Sequence, residues 1–251
     1  LDSWALASRL SYFLWSSMPD AELFEAARTG DLATPEGIEA QARRMLADPR
    51  AEQTVQSFFR QWFRLDGMEV LEKDAAAHPG FSQDVPPAWR EGVERFLIED
   101  FWRREPTLKA LFTSPALYVN EATAPLYGIS TSGPGFLRLD MPPKERAGVL
   151  TQPGLLALLA GLPDGSPVRR GVFIRERILC EPLRPPPADL PITPPDPDPN
   201  ATTRERFAEH TTNATCAACH QLIDPIGFGF ENYDALGRFR VTENGLPVDA
   251  S

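Results

Sequence analysis

Asp2-Ser3-Trp4-Ala5-Leu6-Ala7-Ser8-Arg9-Leu10-Ser11-Tyr12-Phe13-Leu14 opens the chain as a helix and sets the reading of everything around it. Asp2 is a residue whose carboxylate accepts from first-turn amides, the mark of a helix start. Trp4, Leu6, Leu10, Phe13 and Leu14 are the apolar positions of the run, with Arg9 between them. Pro19-Asp20 stops it and starts a second helix around Leu23–Ala27. Thr34-Pro35-Glu36 starts a third, with a capping hydroxyl and a proline at the first helical position. Asp48-Pro49 resets the chain, and Val55, Phe58, Phe59, Trp62 and Phe63 then recur at helical spacing. A further helix fits Trp89–Arg103, striped by Val93, Phe96, Leu97 and Phe101. These aromatics read as the core faces of amphipathic helices.

Beyond this point the signal loosens. Tyr118-Val119-Asn120-Glu121 and Tyr127-Gly128 read as a loop and short helix, and Phe136-Leu137-Arg138-Leu139 alternates like a short strand. Leu155–Leu159 is an apolar run, and Ser166-Pro167 opens a helix over Arg169–Leu179 with Val172, Ile174, Ile178 and Leu179 as its apolar positions. Half of the residues from Pro182 to Pro199 are proline, which excludes a helix or central strand and predicts an extended strap. The fold class is therefore mainly α: a helical part over 1–140, the helical part of a second domain over 141–181, a Pro-rich strap over 182–200, and a small C-terminal segment over 201–251.

That last segment carries Cys216-Ala217-Ala218-Cys219-His220. Two thiols three residues apart face the same way on one helical turn, where they can meet two vinyl groups on one porphyrin edge. The adjacent imidazole can then bind the iron, so the pentapeptide predicts one covalent haem c with His220 as axial ligand. A zinc site would need two further ligands, Cys180 and His210 being the ones at hand, and a dithiol redox pair would need a βαβ setting that this stretch lacks. His210 is the candidate second axial ligand, with Met141 a weaker one and Met18, Met68 and His78 weaker still. Pro225 is expected to fix the backbone near the haem edge, with a nearby carbonyl accepting from the His220 N–H, and Phe228 and Phe230 to lower local polarity. Glu231, Asn232 and Asp234 read as a solvated capping turn rather than a calcium loop, Glu99-Asp100 as solvated charges, and Cys180 as a buried thiol. No catalytic residue stands out: G-x-S-x-G, phosphate-loop and H-E-x-x-H patterns are absent.

The 251 residues carry 25 basic against 35 acidic side chains, a net charge of -10. This balance argues against a nucleic-acid partner and permits a basic redox partner protein. No apolar run approaches the roughly 18–20 residues of a membrane span. The chain starts at Leu1 rather than Met and reads as processed, trimmed or excerpted.

The opening from Leu1 to Asp20 resembles the start of a bacterial domain of unknown function, DUF1592-like. The region from Arg146 through Ser166-Pro167-Val168-Arg169-Arg170-Gly171 to Cys216–His220 and Asp224-Pro225-Ile226-Gly227-Phe228 resembles its usual downstream partner, DUF1588-like. Together the two cover nearly the whole chain. The resemblance is to exported planctomycete and myxobacterial proteins with cytochrome c-like haem attachment, and it implies haem, export and flanking domains in a longer protein. The methionine such proteins often carry before the Asp-Pro pair is Ile223 here, whereas His210 resembles a histidine they often have. The expected function is one-electron transfer with a redox partner in the periplasm or on the cell surface. The alternatives are a haem enzyme or sensor with an open iron site, or an envelope interaction protein in which haem is ancillary.

Overall fold

The computed structural model describes residues 1–131, 133–161, 164–185, 195–196, 198–208 and 214–251. The described chain is mainly helical and divides into two compact units, 1–62 and 63–251.

The first unit is four helices, α1 (Ser3–Trp15), α2 (Ala21–Thr29), α3 (Pro35–Leu46) and α4 (Arg50–Trp62). Their starts are where the capping residues put them. Asp2 accepts from the Ala5 amide at 2.7 Å, Asp20 from Leu23 at 2.9 Å, and Thr34 from Gly37 at 3.1 Å. α1 packs on the other three, and Trp15 at its end is buried. The Trp15 indole N–H donates to the Met45 carbonyl at 2.8 Å, while the Arg50 guanidinium lies 3.4 Å from the ring centre. Not every aromatic of the pattern is core. Phe59 is buried, but Phe58 is 56% and Phe13 76% exposed. Phe13 instead lines, with Leu6, Leu10, Leu32 and Ile38, an apolar groove of about 500 Å³.

The second unit begins with buried Phe63 and reaches α5 (Val85–Arg95), which runs on into a π-helical segment, Phe96–Arg104. Val93, Phe96 and Leu97 are buried as the stripe predicted, and so is Asp100, which corrects its reading as a solvated charge. Asp100 accepts from the Tyr118 hydroxyl at 2.6 Å and from Arg138 at 2.8 Å. After α6 (Leu108–Thr113), residues Ala116–Val119 form β1, antiparallel to β2 (Leu137–Asp140) with Leu117 opposite Leu139. Tyr118-Val119 therefore lies in a strand where the sequence suggested a loop; all four β1 residues are buried, and that hides the alternation that marks a strand.

α7 (Pro153–Leu158) and α8 (Pro167–Phe173) follow, and α8 passes into a π-helical turn, Ile174–Ile178. The buried face of α8 is Arg170, Gly171 and Phe173; Val172, Ile174 and Ile178 are half-buried and Leu179 is exposed, so the apolar positions expected there do not face the core. Cys180 is exposed with φ of 56°, not a buried thiol. Most of the Pro-rich strap, at 186–194 and 197, lies outside the described residues. The chain closes with α9 (Thr203–Phe207), α10 (Ala214–Phe228) and a small hairpin of β3 (Thr242–Glu243) and β4 (Leu246–Pro247).

Candidate functional site

α10 carries the Cys-x-x-Cys-His run. Cys216 and Cys219 are free and half-buried. Residues three and four apart on a helix are neighbours on one face, so Cys216, Cys219 and His220 share a side of α10. Ile223 and Asp224, four residues after Cys219 and His220, continue that side and are buried with Gly227 and Phe228, whereas Ala218, Gln221, Leu222 and Pro225 on the far side are exposed.

Two glycines explain how α10 is held. A Cβ on Gly171 of α8 would lie 2.2 Å from the Ile223 carbonyl oxygen, and one on Gly227 of α10 would lie 1.9 Å from the Pro167 carbonyl oxygen. The two helices thus touch backbone to backbone at both ends of their contact, which only hydrogen side chains permit. Beside Gly171, the fully buried Arg170 reaches past the end of α10. It donates to the carbonyls of Phe230 at 2.8 Å, Tyr233 at 2.9 Å and Asp234 at 3.0 Å. Burial lowers its pKa to about 10, which still leaves it charged at neutral pH. Arg146 acts likewise, donating to the Thr151 carbonyl at 2.6 Å and the Gly237 carbonyl at 2.5 Å.

The imidazole of His220 is oriented within α10 itself. Its Nδ1 lies 3.0 and 2.9 Å from the two carboxylate oxygens of Asp224, one turn on. This corrects the expectation of a backbone carbonyl partner. It also names the residue that sequence reasoning missed, although a carboxylate four places after a histidine on a helix was a readable signal. Pro225 lies inside α10, exposed, and removes the amide that would have bonded the Gln221 carbonyl. The helix nonetheless continues to Phe228, so Asp224–Phe228 is its last turn. Phe228 is buried, with the Arg204 guanidinium 4.5 Å from its ring centre.

The other proposed ligands are not gathered here. His210 lies outside the described residues. Met141 packs on the cluster of Leu117, Val119 and Ala124 beside β1. Met68 and His78 are buried and Met18 is exposed. Among the described residues no three histidine, cysteine, aspartate or glutamate side chains group to hold a metal ion. The Glu231 turn is not a solvated one: Glu231 is buried 3.4 Å from Arg240, Asp234 accepts from the Leu236 and Arg238 amides, and Asn232 donates to the Arg240 carbonyl.

Residues 1–129 match the family described as PSD4, protein of unknown function (DUF1592), and this is more than half of the 251 residues. The chain belongs to the DUF1592 family. Residues 146–243 match a second model, PSCyt3, protein of unknown function (DUF1588), in the order that the resemblance implied. In this DUF1592 chain the second match contains α7 to α10, and with them the thiols, His220, Asp224 and both contact glycines. Comparison with curated proteins and with solved structures returned no match. No described helix is long and apolar enough to cross a membrane.

Proposed function

We propose that Cys216 and Cys219 hold one haem covalently, with His220 as axial ligand, and that the chain is a one-electron transfer module of the bacterial cell envelope. The observation that carries this is the donor set: two free, half-buried thiols and an oriented imidazole on one side of a helix that is anchored against α8. The group fits these residues chemically. Each thiol adds across one vinyl group, its sulfur forming the C–S bond and its hydrogen passing to the neighbouring vinyl carbon, so no oxidant is consumed. Bound in this way, haem supplies a one-electron ferric/ferrous couple. The chain's own part is to present the sulfurs, fix the ring that binds iron and cover the cofactor.

Thiols destined for thioether bonds must meet haem outside the reducing cytosol, which points to the periplasm or cell surface. The acidic surface suits a basic redox partner protein, steered by long-range attraction. His210 is the proposed second ligand. A pyridine haemochrome spectrum of protein exported alongside cytochrome c maturation machinery tests the reading. A thioether-type spectrum lost in Cys216→Ala/Cys219→Ala is expected, and wild-type protein without covalent haem would sink it. A six-coordinate, low-spin spectrum unmoved by carbon monoxide or cyanide is the electron-transfer result; binding of either would replace it with the open-site reading. An unchanged spectrum in His210→Ala would remove His210 as ligand.

A further inference from the structure

Nδ1 of His220 faces a carboxylate where a neutral backbone acceptor was expected. Both oxygens of Asp224 lie within 3.0 Å of Nδ1, and the Asp224 side chain is 1% exposed against 20% for His220. Screening by water is weak at so enclosed a site, so a negative charge on Asp224 acts on the ring with little attenuation. An ionised carboxylate only accepts hydrogen bonds. Nδ1 therefore carries the hydrogen, and Nε2 is the nitrogen whose lone pair would meet a metal. The carboxylate has little room to leave, because the backbone at Ile223, the residue before it, is pressed against Gly171 of α8.

We propose that Asp224 is the positioning residue for His220, fixing its tautomer and ring and driving electron density toward Nε2, so that the iron is held toward its ferric state. The inference rests on the haem reading above. A negative charge one hydrogen bond from the axial ligand favours the more positive oxidation state. The couple then sits on the reducing side of the potential that a neutral acceptor would set.

The test is a spectroelectrochemical titration of the haem-loaded full chain and its Asp224→Asn variant, which keeps the shape and removes the charge. Loss of such a supporting partner typically weakens a metal site 10–100-fold. A tenfold loss felt by ferric but not ferrous iron raises the midpoint potential by about 59 mV. Electron paramagnetic resonance of the ferric wild type provides a readout that needs no variant, because a strongly donating axial histidine compresses the spread of g-values. A potential unchanged in Asp224→Asn, or wild-type g-values of an ordinary neutral-acceptor histidine, overturns the inference while leaving the haem in place. Wild-type protein without covalent haem overturns the reading beneath it, and the inference with it.

Discussion

Replacing Gly171 with alanine puts a methyl carbon 2.2 Å from the Ile223 carbonyl oxygen and 2.9 Å from the Ile223 carbonyl carbon. Both are backbone atoms, so no side chain can rotate away and α8 and α10 must separate. Alanine gains about 1 kcal/mol over glycine in a helix interior. Overpacking a rigid contact costs about 1–3 kcal/mol, and a clash with backbone belongs at the upper end. The net is a loss of about 2 kcal/mol. At roughly 2–4 °C per kcal/mol for a unit of this size, the melting temperature falls by about 4–8 °C. Thermal unfolding followed by far-ultraviolet circular dichroism measures it. The separation also moves the backbone that carries Asp224, so the haem-loaded variant should show the same direction of potential change as Asp224→Asn. A variant that melts at or above the wild-type temperature would refute the backbone contact between α8 and α10.

Burial pushes the Glu231 carboxyl up from 4.5 to about 7, against the pull of Arg170 and Arg240. The folded state therefore keeps this proton longer than the unfolded one, and stability falls as pH rises from about 4.5 to about 7, by about 3 kcal/mol. Glu231→Gln, which cannot titrate, should flatten the melting temperature over that window; an unaltered profile would show that Glu231 does not govern it. Asp20→Ala removes both the cap of α2 and the acceptor of two Arg44 bonds. It should cost about 1–2 kcal/mol in a denaturant titration, and no change would mean that water replaces these bonds. Met141→Leu conserves volume against the Leu117 cluster, so it should cost less than about 1.5 kcal/mol and leave the haem spectrum unaltered. A changed spectrum would restore Met141 as a ligand.

What was legible in the sequence follows the range of the interactions involved. The starts of α1, α2, α3 and α8 rest on a side chain bonding an amide three residues on, and Asp2, Asp20, Thr34 and Ser166 could be read directly. Burial depends on what packs against a face, and there the pattern misled. Phe13 and Phe58 have the spacing of core residues but are exposed, whereas Asp100 and Glu231 look solvated and are buried beside arginines. No local rule distinguishes a paired carboxylate from a free one, because the partner Arg138 lies 38 residues from Asp100. Arg170 is the extreme case, since its carbonyl partners are 60 to 64 residues away.

The site itself mixes both kinds of information. The thiol spacing and the imidazole are local, and they pointed to α10 without any structure. The His220–Asp224 bond is also local, four residues apart, yet Pro225 and the glycines at 227 and 229 argue locally against the helix that makes it. Only a helix places the carboxylate under the ring. Gly227, one of these helix-disfavouring residues, keeps that helix against α8, for its missing side chain lets the Pro167 carbonyl approach. The glycine that obscured the last turn of α10 is thus part of what keeps Asp224 in reach of His220.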